Sequence, residues 1–339
     1  MREIRQFPTI VTVGLVLSAV LPMTAGAQAA PSPAFAEGNT AFALDLYSRL
    51  KSGPPNLFFS PYSISTCLAM TYNGARGDTA AQMAQVLHFS KDARQLGSSF
   101  SGVQRQLNEA GAQKGIQLNV ANALWAQQGH AFLPAFLSAA RDEYQANVKQ
   151  ADFKTSAESA RSEINNWVAQ KTQERIKDIL PPGSVDAMTR LVLANAIYFK
   201  GAWAAPFRAA ETRPQPFHVS AASEVQAPLM HHTESVKYME DDALQAVELF
   251  YSGNGLSMVV LLPRRIDGYS DLESRLTPAF LASSLAQMKM QRVEIFLPKF
   301  KQDSAFELNG VLAKMGMPDA LACIFHKTSK FSRPTRVWG

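Results

Sequence analysis

The side chains that could do chemistry in this 339-residue sequence are few and widely spaced. The clearest candidates for a metal site are the neighbours His231 and His232, with Glu234 close behind them. Imidazole and carboxylate groups are ordinary zinc ligands. Adjacent residues of a strand point to opposite faces, however, so the two histidines are not expected to share one ion. We therefore predict no metal site at this position.

The sequence also lacks the short motifs that mark common enzyme sites. It has no G-x-S-x-G turn, no H-E-x-x-H helix, no Walker phosphate loop and no G-x-G-x-x-G nucleotide turn. Residue counts alone leave a Ser/His/Asp hydrolase open, but no serine lies in a turn typical of a nucleophile. We predict no enzymatic activity, no catalytic residues and no cofactor.

The charge distribution excludes several classes of partner. The formal net charge is +5, of which residues 1–29 contribute +1 and residues 317–339 contribute +3, which leaves +1 for the rest of the chain. A nearly neutral body with scattered charges offers no basic surface of the kind that binds nucleic acid or an anionic membrane. With only Cys67 and Cys323, the chain is no disulfide scaffold, and Cys67 in an apolar run is expected to be a buried small side chain.

The N-terminus has the pattern of a secretory signal. Arg2 and Arg5 precede an apolar stretch over residues 10–21, and small residues at 25–29 supply two A-x-A cleavage sites. The stretch is shorter than the roughly 20 residues that a membrane-spanning helix needs. We predict that residues 1–29 are a cleaved signal peptide and that the mature protein is secreted or periplasmic. An uncleaved membrane anchor is the alternative.

The elements that must position any site follow from hydrophobic spacing and turn residues. Apolar residues over 39–50 recur at helical spacing, and Ser60-Pro61 is a cap and first residue for a second helix. Residues 56–59 are expected to form a short buried strand, and the apolar run 191–199 a central strand covered on both faces. Further strands are predicted at 119–127, 246–251, 256–262 and 293–300. Helices dominate the first half and strands the second, which indicates an α+β fold.

A series of collinear motifs over residues 39–317 resembles the serpin family. The motifs are Asn56-Leu57-Phe58-Phe59-Ser60-Pro61-Tyr62-Ser63-Ile64-Ser65, Asn73-Gly74-Ala75-Arg76-Gly77-Asp78-Thr79, Asn122-Ala123-Leu124-Trp125, Leu193-Ala194-Asn195-Ala196-Ile197-Tyr198-Phe199-Lys200-Gly201-Ala202-Trp203, Met230-His231-His232 and Leu297-Pro298-Lys299-Phe300. The resemblance implies one domain over residues 30–320 with three β-sheets and a shell of helices, and a monomeric protein whose partners are serine proteases.

The resemblance also implies a mechanism and a set of site residues. In inhibitory serpins a protease attacks an exposed loop, and the cleaved loop then inserts as a strand into the large sheet and traps the acyl-enzyme. Ser60, Ser63 and Asn195 would lie in the shutter, where that sheet parts, and Trp203 at the breach, where insertion starts. Ordinary capping, amide and aromatic packing are the alternative roles of these four residues.

The resemblance stops at about residue 320. Residues 321–339 form a basic tail without apolar periodicity, and the sequence contains neither a Glu-Gly-Thr hinge with an alanine run nor the closing C-terminal strands. Two interpretations follow. The first is a serine protease inhibitor by ancestry that is inactive in this truncated or frameshifted form. The second is a non-inhibitory extracellular binding protein on the same scaffold.

Overall fold

The computed structural model describes residues 2–3, 33–52, 56–90, 92–253, 255–300 and 308–320. The predicted signal segment beyond residues 2–3 and the tail 321–339, with Cys323, lie outside this part. The described helices are α1 (Pro33–Leu50), α2 (Pro61–Tyr72), α3 (Gly77–Val86), α4 (Ala93–Gly111), α5 (Pro134–Asp142), α6 (Phe153–Lys171), α7 (Tyr269–Arg275), α8 (Pro278–Gln287) and α9 (Asn309–Met315). No helix of the described part combines the length and the apolar character that crossing a membrane requires.

The strands occupy the middle and the second half of the chain. They are β1 (Arg2–Glu3), β2 (Ile116–Gln127), β3 (Asn147–Ala151), β4 (Leu191–Gly201), β5 (Arg213–Ser220), β6 (Ser223–Glu240), β7 (Leu244–Phe250), β8 (Ser257–Pro263) and β9 (Lys289–Pro298). The mixture of separate helical and antiparallel regions confirms the α+β class that the sequence predicted.

These strands form two hydrogen-bonded sheets. One has three strands in the order β3-β2-β4, and the other has six, in the order β1-β9-β6-β7-β8 with β5 also paired to β6. The long strand β6 pairs with β5 over residues 223–229 and with β7 over residues 237–240, so it belongs to two groups of strands. The family resemblance predicted three sheets. Because the 18-residue strand β6 is shared by two groups of strands, hydrogen bonding joins those groups and gives two sheets.

Turn chemistry explains the tight connection in the larger sheet. β7 and β8 pair antiparallel from Leu244↔Pro263 to Phe250↔Ser257, as the predicted hairpin requires. Gly253 lies in the connecting turn with φ +81°, a conformation that side chains rarely adopt and glycine adopts freely.

The core nearest to the candidate site is built by helices that pack on the three-stranded sheet. Phe42 of α1, Met70 of α2, Phe100 of α4 and Leu124 of β2 are all buried in one cluster. On the other side, Trp167 of α6 packs edge-to-face on Trp125 of β2, with ring centroids 5.2 Å apart. The sheet is thus held between α2 and α4 on one face and α6 on the other.

One prediction about strands was wrong in the described part of the chain. Residues 56–59 have no strand structure, and the side chain of Phe58 is 53% exposed. The run 191–199 does form a strand with α2 and α6 against it, and its partner among the described residues is β2. An apolar sequence cannot specify whether a partner strand is present on each side, because strand pairing is non-local.

Candidate functional site

Ser60 begins helix α2, which packs on β4, the edge strand of the three-stranded sheet. Its backbone is extended (φ −106°, ψ 104°), and its Oγ accepts a hydrogen bond of 3.2 Å from the backbone N–H of Ser63. Pro61 follows in the first helical position, where its missing N–H leaves no donor unsatisfied. α2 then packs on β4. The structure therefore gives Ser60 the role of an N-cap, and Ser63 supplies the donor.

Asn195 lies in β4 directly opposite Asn122 of β2. Nδ2 of Asn195 donates a hydrogen bond of 2.5 Å to Oδ1 of Asn122. Nδ2 of Asn122 in turn donates a hydrogen bond of 2.7 Å to the carbonyl oxygen of Tyr144, in the turn after α5. A chain of two hydrogen-bonded side-chain amides therefore links β4 to the turn after α5.

One polar atom of this chain is left without a partner. Oδ1 of Asn195 is buried and accepts no hydrogen bond in the described part of the structure. An unpaired buried acceptor typically costs about 1–3 kcal/mol. On the same strand, the edge that faces away from β2 has no partner among the described residues.

Trp203 lies just beyond the end of β4. Its backbone forms an isolated antiparallel bridge with Tyr251, and the two rings stack with centroids 4.5 Å apart and an interplanar angle of 10°. Phe207 meets the same indole edge-on at 6.1 Å. A side chain at Gly201 would place its Cβ 2.7 Å from both the Tyr251 and the Phe199 rings. The glycine therefore leaves room for an aromatic cluster that fastens the end of β4 to Tyr251, just after β7.

The histidine pair makes two separate sets of contacts. Nε2 of His231 lies 3.0 Å from Oε1 of Glu294, and the ring stacks on Phe296. The His232 ring instead contacts Phe207 at 4.3 Å, and burial lowers the pKa of His232. Within the described ranges, no three histidine, cysteine or acidic side chains are grouped to hold a metal ion.

The four site residues predicted from the sequence are arranged in two neighbourhoods. Ser60 caps α2 and Ser63 lies in its first turn, but no hydrogen bond joins either serine to Asn195 in the described part of the chain. Trp203 lies at the far end of the strand with its own partners. The sequence argument missed Asn122. A signal was available, because Asn122 is a polar residue inside an apolar strand, and such a residue needs a partner when buried.

Comparison with known proteins agrees with this architecture. The family model described as "Serpin (serine protease inhibitor)" matches residues 37–337. An uncharacterised serpin-like protein of Thermococcus kodakarensis is 38% identical over 279 residues, and the match covers 82% of this chain and 64% of that protein. The leukocyte elastase inhibitor of Xenopus tropicalis is 38% identical over 288 residues, with 83% and 76% covered.

A solved structure supports the same fold. Ovalbumin from the emu, Dromaius novaehollandiae, superimposes with a TM-score of 0.79 at 30% identity, and the match covers 84% of this chain and 78% of ovalbumin. This chain thus spans less than two thirds of the Thermococcus relative and about three quarters of the vertebrate inhibitor. The family match, the identity to these relatives and the fold together establish that the chain belongs to the serpin family of serine protease inhibitors.

Proposed function

We propose that this chain carries the scaffold of a serine protease inhibitor that acts by suicide trapping, without the loop that serves as bait. The observation that carries the proposal is that one edge of β4 has no partner strand among the described residues, with the unpaired Oδ1 of Asn195 on the same strand. A sheet with an open edge and an unsatisfied buried acceptor is stabilised when another strand is added. That gain is the driving force that trapping needs.

The proposed mechanism has three steps. The serine of the protease attacks the bait loop and forms the acyl-enzyme of ordinary triad chemistry. The cleaved loop then inserts beside β4 as a new strand and drags the tethered protease with it. Distortion of the oxyanion hole prevents hydrolysis of the ester, so the protease remains covalently bound.

The four site residues have distinct roles in this proposal. Ser60 and Ser63 fix the start of α2 over β4, and Asn195 supplies an acceptor that an inserting strand can reach, so these three form the shutter. Trp203 forms the breach, because its ring stack on Tyr251 holds the end of β4 where separation would begin. The alternative for all four residues is ordinary helix capping and packing, and a role in sheet opening would have to exceed the free energy that these supply.

The 339-residue polypeptide itself is proposed to form no covalent complex. Its sequence contains no Glu-Gly-Thr hinge followed by alanines, so it offers no segment of the required type for cleavage and insertion. The competence of the scaffold and the presence of bait are therefore separate questions.

A chimera separates them. The segment of the Xenopus tropicalis leukocyte elastase inhibitor that follows the matched region is appended after Ala320, and the product is mixed with leukocyte elastase. The proposal predicts a complex at the summed mass that resists SDS, while the chain without the graft gives none. A folded chimera that elastase merely cleaves would overturn the trapping proposal.

That outcome would favour the second candidate function, a non-inhibitory extracellular binding protein. The specific observation in its favour is that none of the 339 residues supplies the inhibitory hinge. A pull-down with the intact chain, compared with a chain that carries Trp203→Ala at the proposed breach, would then be the next experiment.

We also propose that the protein acts outside the cytoplasm as a monomer. The support is the charged, apolar and small-residue order of residues 1–29, which matches a secretory signal. N-terminal sequencing of the protein from its natural host should give Gln28 or Ala30 as the first residue. Recovery of Met1 or Arg2 would contradict export with cleavage, and light scattering of the same sample tests the monomer.

A further inference from the structure

Three buried polar atoms that have no hydrogen bond of regular geometry in the described part of the chain meet where α2, α4 and α5 join. They are Nδ2 of Asn73, Oε2 of Glu143 and Oη of Tyr144. Asn73 directly follows α2, and the other two residues directly follow α5. The Asn73 amide lies close enough to Glu143 and Tyr144 to lower the pKa of both as a weak hydrogen-bond partner, so the three groups are neighbours whose contacts are poorly aligned. Native proteins rarely leave even one such atom unpaired, and three together require an explanation.

The Glu143 carboxyl reaches this junction through a gap in α4. A Cβ built on Gly97 would lie 1.9 Å from Oε2 and 2.4 Å from Cδ of Glu143. Glycine inside a helix is destabilising compared with alanine. In this helix it gives the carboxyl its place against the backbone, so the position of Glu143 is a built feature of the packing.

No cation pairs with the carboxyl among the described residues. The groups that face it are Asp142 on its own segment and the Tyr144 phenol, which itself faces Tyr62 and Tyr72 from α2. Burial, and then repulsion from Asp142, raise the pKa of Glu143 above its ordinary value of 4.5, and the Asn73 amide opposes them. An ionised Glu143 would be a partly buried charge, with one carboxyl oxygen fully buried and no described counter-ion.

We propose that Glu143 is a proton-binding group whose neutral form holds the junction of α2, α4 and α5, and whose ionisation loosens it. The neutral carboxyl loses its charge, which removes the cost of desolvating it, and its new O–H can donate to the neighbouring Tyr144 oxygen. The next residue transmits the effect, because the Tyr144 carbonyl anchors Asn122, which in turn holds Asn195 of β4. This inference rests on contacts within the chain and does not depend on the proposed inhibitory function.

The sign of the pH effect follows from the raised pKa. The unfolded chain gives up this proton near its ordinary value of 4.5, and the folded chain gives it up at higher pH. The stabilising contribution is therefore complete below pH 4.5 and is lost as the pH rises through the folded-state pKa.

The test compares thermal unfolding of the full chain with that of Glu143→Gln between pH 4.5 and 9. Glutamine has the same shape and cannot ionise, so the variant should lose less stability as the pH rises, and its advantage over the parent should grow with pH. Glu109→Gln, an exposed glutamate of α4 with no ion pair in the described part of the chain, is the matched control and should keep the parental profile.

An unchanged pH profile in Glu143→Gln would overturn the proposal. If the variant does not fold, NMR titration of the ¹³C-labelled glutamate carboxyls in the parent chain answers the same question. If that titration finds no glutamate with a pKa above 4.5, the result would equally contradict the proposal. Asp142→Asn should move the titration of Glu143 to lower pH, because it removes the neighbouring negative charge.

Discussion

Nδ2 of Asn195 donates a 2.5 Å hydrogen bond to Oδ1 of Asn122, and Asn122 donates onward to the carbonyl of Tyr144. This buried contact joins two residues that are 73 positions apart in sequence. It makes Asn122 the link between Asn195 of the proposed shutter and the turn after α5, because its side chain pairs with a group on each side.

Asn122→Ala should therefore lower stability by about 1–3 kcal/mol, because it leaves a buried amide donor and a buried carbonyl without partners. The measurement is urea unfolding at neutral pH. Asn119→Ala, an exposed asparagine in the same strand, is the control and should change stability by less than about 0.5 kcal/mol. Equal losses in the two variants would show that the buried amide chain contributes nothing specific.

The two serines of the proposed shutter should differ. Ser60→Ala removes the N-cap of α2 and should cost about 0.5–2 kcal/mol, whereas Ser60→Thr keeps an acceptor and should cost less. Ser63 supplies only its backbone N–H to this bond, so Ser63→Ala is expected to be nearly neutral. Chemical denaturation of all three variants checks the order, and a Ser63→Ala variant as damaged as Ser60→Ala would contradict it.

The aromatic stack at the end of β4 should show direct coupling. A double-mutant cycle on Trp203→Ala and Tyr251→Ala is expected to give a coupling energy of about 0.5–1.5 kcal/mol, since stacked rings interact beyond their buried area. Trp203→Phe retains a ring and should lose less stability than Trp203→Ala. Strict additivity of the two alanine substitutions would mean that the stack is incidental.

The thiol of Cys67 should resist modification in the folded protein. Cys67 is partly buried, and burial of the thiol raises the pKa of Cys67 to about 12 from an ordinary 9.0, so the reactive thiolate at pH 8 is much scarcer than in the unfolded chain. Iodoacetamide labelling followed by mass spectrometry should modify Cys67 far faster after urea is added. The experiment uses a Cys323→Ser background so that one thiol remains, and equal labelling rates with and without urea would contradict the raised pKa.

The sequence predicted the local features of this fold well. Ser60 and Pro61 begin α2 as cap and first residue, because both signals act within one turn of helix. The run 191–199 predicted β4, and Gly253 lies in the predicted hairpin turn. Each of these follows from spacing or from the conformational limits of a few neighbouring residues.

The features that the sequence could not predict depend on pairing between distant segments. The strand expected at 56–59 is absent because no described strand pairs with it, and among the described residues β4 has a partner on one edge alone. The Asn122–Asn195 contact requires the register of β2 on β4, which apolar alternation alone does not fix. The signal peptide, the domain boundary at residue 320 and the shutter and breach roles stay predictions.

The most direct test of the central claim uses the 339-residue chain alone with trypsin-, chymotrypsin-, elastase- and subtilisin-like proteases on denaturing gels. The account predicts no band at the summed mass with any of the four classes, because the 339-residue sequence contains no Glu-Gly-Thr hinge followed by an alanine run. A complex at the summed mass that survives SDS would contradict it.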